Sequence, residues 1–192
     1  MVEARTLSPE LENEVDGYLW AKTEVLDLCG DLSQEQFNWR PEEGAWSVGE
    51  CLDHLNKVGS EMIAPMHEAM EKGKAAGRLS EGPFRYSWLG NYFARAAGVL
   101  NEDNTFKGKS PKLYVPGSDM DKDKTIERFL KVQDELITTT RMAHGLDLKR
   151  IKVASPALKF MRFSLGVWLR MLPNHQRRHF QQARNVVDRM AS

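Results

Sequence analysis

The chain has 192 residues, with 27 Lys plus Arg, 27 Asp plus Glu and 41% apolar residues, enough for one domain with its own hydrophobic core. A net charge of zero gives no electrostatic reason to expect nucleic acid or an anionic membrane as the main partner. The two cysteines, Cys29 and Cys51, form no Cys-x-x-Cys pattern and suit a reducing compartment rather than a disulfide framework.

Charged residues at the N-terminus (Glu3, Arg5, Glu10, Glu12, Glu14) leave no apolar secretory segment there. The most apolar stretch, 160–172, is interrupted by Arg162 and Arg170 and is too short to span a bilayer. The expectation is a soluble, cytoplasmic protein whose residues 1–192 form a single domain.

Taken in order, the first helix is predicted from about Ser8 to Cys29. Ser8 serves as N-cap, Pro9 as first helical residue and Gly30 as the stop. One helical turn follows around Ser33 to Phe37, then an extended run into Pro41 and a loop to Trp46. Ser47-Val-Gly-Glu50 reads as a capping box, so a second long helix runs from there to about Ala76, with a kink expected at Pro65. Residues 80–118 are rich in Gly, Pro and Asn and read as a long irregular insertion with one short helix, Tyr86 to Leu100.

Asp119 or Asp121 begins a third long helix with Ile126, Phe129, Gln133, Leu136 and Ile137 at helical spacing, ending near Gly145. A fourth runs from about Ser164 to Met190 with the stripe Leu165, Trp168, Leu172, His175, His179, Gln182 and Val186. No run of alternating residues is long enough to predict a sheet. Four long amphipathic helices give an all-α, four-helix-bundle fold, in which ligand sites lie between facing helices.

The histidines carry the chemistry. His175-Gln-Arg-Arg-His179 places two imidazoles at i and i+4 on one helical face, the same face that carries Leu165, Leu172 and Val186. Inward imidazoles need partners, because unpaired buried polar groups are costly. Those partners are carboxylates and carbonyls in a plain core, or a shared metal ion. His54, in register with Glu50 and Val58 on the second helix, is a third donor. Three protein ligands leave the fourth position open, which is how catalytic zinc sites are built.

Weaker candidates surround them. The pair lacks the in-motif Glu of zinc peptidases. Cys51, one turn before His54, reads as a core residue ahead of a ligand. Glu50 and Asp53 are candidates to orient an imidazole, with capping the simpler role for Glu50. Pro173 is placed to bend the fourth helix just ahead of His175. Trp46 and Trp168 are candidate walls of a cavity. Arg177, Arg178 and Arg184 read as an outer charged face, and His67 and His144 as solvated groups near helix ends.

Two blocks carry a resemblance. Leu32-Ser-Gln-Glu-Gln-Phe37-Asn-Trp39-Arg-Pro41, Ala45-Trp-Ser-Val-Gly-Glu50 and Leu52-Asp-His54-Leu55 form one; Trp168-Leu169 with His175-Gln-Arg-Arg-His179-Phe-Gln-Gln forms the other. Together they resemble the signatures of the DinB-like (DinB/YfiT) superfamily. The resemblance implies an up-down-down-up four-helix bundle, commonly dimeric. It also implies a divalent metal, nickel or zinc, on His54, His175 and His179. Characterised branches include transferases using low-molecular-weight thiols, a maleylpyruvate isomerase and metal-dependent hydrolases. The expectation is therefore a metal-dependent transferase or hydrolase acting on a small molecule, with catalytic residues beyond the ligands unidentified. The alternative is a non-enzymatic, metal-stabilised bundle that binds a small molecule or partner in a stress response.

Overall fold

A computed structural model describes residues 7–98 and 110–190. Four long helices form the framework: α1 (Pro9–Cys29), α3 (Val48–Ala75), α5 (Lys122–Met142) and α6 (Leu165–Met190), with short α2 (Gln34–Asn38) and α4 (Trp88–Ala96) between them. The capping boxes form as sequence dictates. Ser47 accepts from the Glu50 N–H while the Glu50 carboxylate accepts from the Ser47 N–H, and Ser33 with Gln36 does the same for α2. The predicted third-helix start resolves to Asp121, whose side chain accepts from the Lys124 N–H.

Chain direction follows from cross-helix contacts. Gly17 meets Pro173 and Glu24 pairs with Arg184, so α1 and α6 run parallel. Asn56 bonds the Thr125 carbonyl and His67 bonds Thr139, so α3 and α5 also run parallel. Lys122, at the start of α5, donates to the Cys29 carbonyl at the end of α1, which sets the two pairs antiparallel. The result is an up-down-down-up bundle. In it α1 and α3 each pack against both α5 and α6.

Two close approaches depend on glycine. A Cβ on Gly59 would lie 2.6 Å from a Val132 methyl, and one on Gly17 would lie 2.7 Å from the Pro173 ring. Pro173 thus sits in a continuous helix and seats α6 against α1. The α3 helix likewise continues through Pro65.

Two differences from the sequence reading stand out. A short antiparallel hairpin, β1 (Lys152–Ala154) and β2 (Arg162–Ser164), precedes α6. Three-residue strands are too short to leave a pattern of alternation, which is why none was predicted. Its inner side chains, Val153 and Phe163, pack towards Trp168 and Phe93. The predicted Tyr86–Leu100 helix is Trp88–Ala96, and its expected end at Leu100 lies outside the described residues. The segment read as an irregular insertion contributes α4, which packs on α6, and a 3-10 turn at Lys112–Tyr114. Among the described residues no helix is long and apolar enough to cross a membrane.

Candidate metal centre

The antiparallel faces of α3 and α6 bring His54, His175 and His179 together, with one ligand atom from each lying within 4.8 Å of the others. The Nε2 atoms of His54 and His175 are 3.0 Å apart. Three nitrogens around one tetrahedral zinc at 2.0–2.1 Å stand about 3.3 Å from one another. The trio is thus close to a ligating arrangement.

Hydrogen bonds fix which nitrogen points inward. His54 Nδ1 lies 2.7 Å from the Tyr114 carbonyl oxygen, which can only accept, so Nδ1 carries the proton and Nε2 a lone pair. His179 Nδ1 lies 3.0 Å from the side-chain oxygen of Gln182, which has the same consequence. His175 hydrogen-bonds the backbone of Ala97 in a contact that favours protonation. Since His175 Nε2 faces His54, that contact falls to Nδ1. Outward protons on acceptors and inward lone pairs are the arrangement metal-ligating histidines require.

Protonation of the trio is opposed. Burial lowers the pKa of all three rings; the Arg178 charge adds to it at each, and the charge a neighbouring ring would carry adds to it at His175 and His179. His175 is pushed down to about 3, and His179 well below the ordinary imidazole range. A metal ion needs neutral imidazoles, so the donor set fits a divalent cation. Among the described residues no carboxylate or thiol joins the three rings within ligating reach.

A strap across the first turns of α3 holds His54. Besides the Tyr114 bond, Asp53 accepts from the Gly117 N–H at 2.9 Å and Lys57 donates to the Val115 carbonyl at 2.8 Å. Three residues of one helix thus pin one stretch of backbone. The Tyr114 hydroxyl is itself bonded by Ser155 and the Ala157 backbone. Trp46, half-buried, covers the other side: its ring is 5.0 Å from His54 and stacks on His179 at 5.7 Å and 24°.

Some sequence expectations hold and others change. Asp53 does not bond an imidazole; it pairs with Lys57 and acts on His54 through the strap. Glu50 caps α3 and is gripped by Arg40 through two hydrogen bonds. Cys51 is a core residue whose thiol pKa burial raises. Trp168 is buried against Phe93 and Phe163 and donates to the Val153 carbonyl, so it forms core rather than cavity wall. Arg177 lies over Trp20 and Arg184 pairs with Glu24, but Arg178 is half-buried beside the trio. His67 is in mid-helix and bonds Thr139, and His144 is half-buried. Tyr114 orients through its backbone, which leaves no residue-type signature. Gln182 stood three residues after His179, a spacing that pointed to it.

A helical bundle with three convergent, neutral imidazoles on facing helices defines a class of metal-centre proteins. The chain belongs to the DinB superfamily, whose family model matches residues 18–183. It is similar to the protein YuaE of Bacillus subtilis (strain 168), with 22% identity over 171 residues, 88% of this chain and 94% of that one. It also resembles the solved structure of YfiT from Bacillus subtilis at a TM-score of 0.62 and 12% identity, covering 100% of this chain and 94% of that one. YfiT is described as a probable metal-dependent hydrolase with an unusual four-helix bundle topology. That likeness shows the shared fold.

Proposed function

We propose that the protein is a divalent-metal-dependent enzyme, a hydrolase acting on a small molecule, with His54, His175 and His179 as the ligands. The observation that carries this is the convergence of the three rings. Two imidazole lone pairs 3.0 Å apart repel each other unless a proton or a cation lies between them. Burial and the Arg178 charge both oppose the proton, which favours a cation. A set of three histidines suits zinc and nickel alike, and a three-ligand set keeps a position open for substrate or water.

A divalent ion held by His54, His175 and His179 would supply Lewis acidity and would lower the pKa of a bound water towards about 7. The protein's own groups do the rest. The Tyr114 carbonyl and the Gln182 amide hold the ring protons outward. Trp46 shields His54 and His179 on one side. Arg178 places positive charge beside the trio. The description of YfiT as a metal-dependent hydrolase favours hydrolysis over thiol-dependent transfer for this chain. A cytoplasmic location and a homodimer belong to the same reading.

Chelation and reloading test it. An enzyme loses turnover of small ester and amide substrates on chelation, keeps its helical content and regains activity with zinc or nickel. A chelated protein that loses thermal stability, with no metal-dependent turnover of any substrate, supports the non-enzymatic bundle instead.

A further inference from the structure

The side chains of α6 divide into two inward stripes set about 100° apart, the rotation between successive helical residues. One stripe carries His175 and His179 and meets His54 on α3. The other carries Gln176, Phe180 and Ala183, all buried. It reaches α5 through the middle of the bundle: Phe180 meets Phe129 edge to face at 5.6 Å, and Gln176 Nε2 donates to Gln133 Oε1 at 2.8 Å. Gln133 is 0% and Gln176 3% exposed.

A buried amide pair in an apolar layer is an uneconomical way to fill space. One hydrogen bond joins the two amides, and it forms in one rotation and one height of α6. Gln133 Nε2 and Gln176 Oε1 have no hydrogen-bond partner even so, and any turn or slide of α6 would leave all four polar atoms unpaired. Buried polar pairs of this kind specify register between helices at a cost in stability. Here the register matters at the next residue, because Gln176 directly follows His175.

We infer that Gln133 and Gln176 form a register lock that sets the rotation of α6 and so aims His175 and His179 at His54. They are positioning residues for the site, and the inference rests on reading those histidines as metal ligands. Groups that orient ligands from outside the first sphere change metal affinity by roughly 10–100-fold.

The test compares wild type, Gln176→Leu and the double variant Gln133→Leu/Gln176→Leu in zinc titrations against a chromophoric chelator, with melting temperatures alongside. The single variant strands the Gln133 amide and melts lower. The double variant removes both amides and is expected to regain at least the wild-type melting temperature, while its zinc dissociation constant stays tenfold or more higher. If affinity returns together with stability, the pair is only a packing element and the lock is overturned.

Histidine-ring nitrogen NMR spectra of the metal-free proteins separate this from the ligand assignment. Displaced or doubled His175 and His179 ring signals in the double variant support the lock; unchanged signals overturn it. A wild type that takes up no zinc overturns the ligand assignment, and the ring spectra then decide the lock alone.

Discussion

His54 and His175, on antiparallel helices, turn their Nε2 atoms towards one another at 3.0 Å, while the Tyr114 carbonyl keeps the His54 proton on the opposite side of its ring. The pairing is the core of the site, because it presents a lone pair where a buried core would ordinarily offer a hydrogen bond. Its consequences are measurable.

The strap should matter without touching a metal. Asp53→Ala releases the Gly117 N–H and the Lys57 partner, both anchors of the segment that holds His54. Metal affinity should fall by about tenfold, the usual scale for a lost ligand-orienting contact, with helical content retained. Calorimetric titration with zinc checks this, and unchanged affinity would show that Tyr114 is held without Asp53.

Metal-free protein should weaken as pH falls. The three rings have folded-state pKa values below the ordinary 6.5, so below pH 6.5 the unfolded chain binds more protons than the folded one. Stability then drops with falling pH, by up to about 1.4 kcal/mol per pH unit for each such ring, and for His175 the loss continues towards pH 3. Urea unfolding at pH 7 and pH 5 should show a smaller difference in His175→Leu than in wild type.

Glu14 titrates in the opposite sense. Burial raises its pKa to about 7, against the pull of Arg170, so folding takes up a proton between about pH 4.5 and pH 7. Its contribution is most favourable below pH 4.5 and is lost as pH rises through 7. Glu14→Gln should therefore be more stable than wild type at pH 8 by about 2 kcal/mol, with the gain fading by pH 5. Thermal melts at the two pH values decide it.

The cysteines should be inert. Cys29 and Cys51 are buried, and burial raises both thiol pKa values, that of Cys29 to about 12. Native protein should react with a thiol reagent such as Ellman's only after denaturation. Rapid labelling of one thiol in the folded protein would place a reactive cysteine near the surface.

Much of this was legible in the sequence, for identifiable reasons. The capping box at Ser47 and Glu50 fixed the start of α3, and that start sets the face on which His54 lies. The i, i+4 spacing of His175 and His179 within an apolar stripe carried their inward direction. What escaped was whatever depends on backbone or on non-local packing. The Tyr114 carbonyl has no side-chain signature. Arg178 could be assigned to the site only once the twist of α6 and its contact with α3 were known. Trp168 shares the stripe with the histidines but lies two turns away, where the hairpin and Phe93 enclose it. Gln133 sat on an apolar stripe and Gln176 lay outside the one read for the fourth helix, and no spacing rule links positions on different helices.

The most direct measurement is elemental analysis of untagged protein, wild type beside His175→Ala, after incubation with zinc or nickel. The expected result is close to one divalent ion per chain in wild type and a large loss in the variant, with both proteins folded. Wild type without metal, or a variant that retains it in full, would contradict the assignment of His54, His175 and His179 as a metal centre.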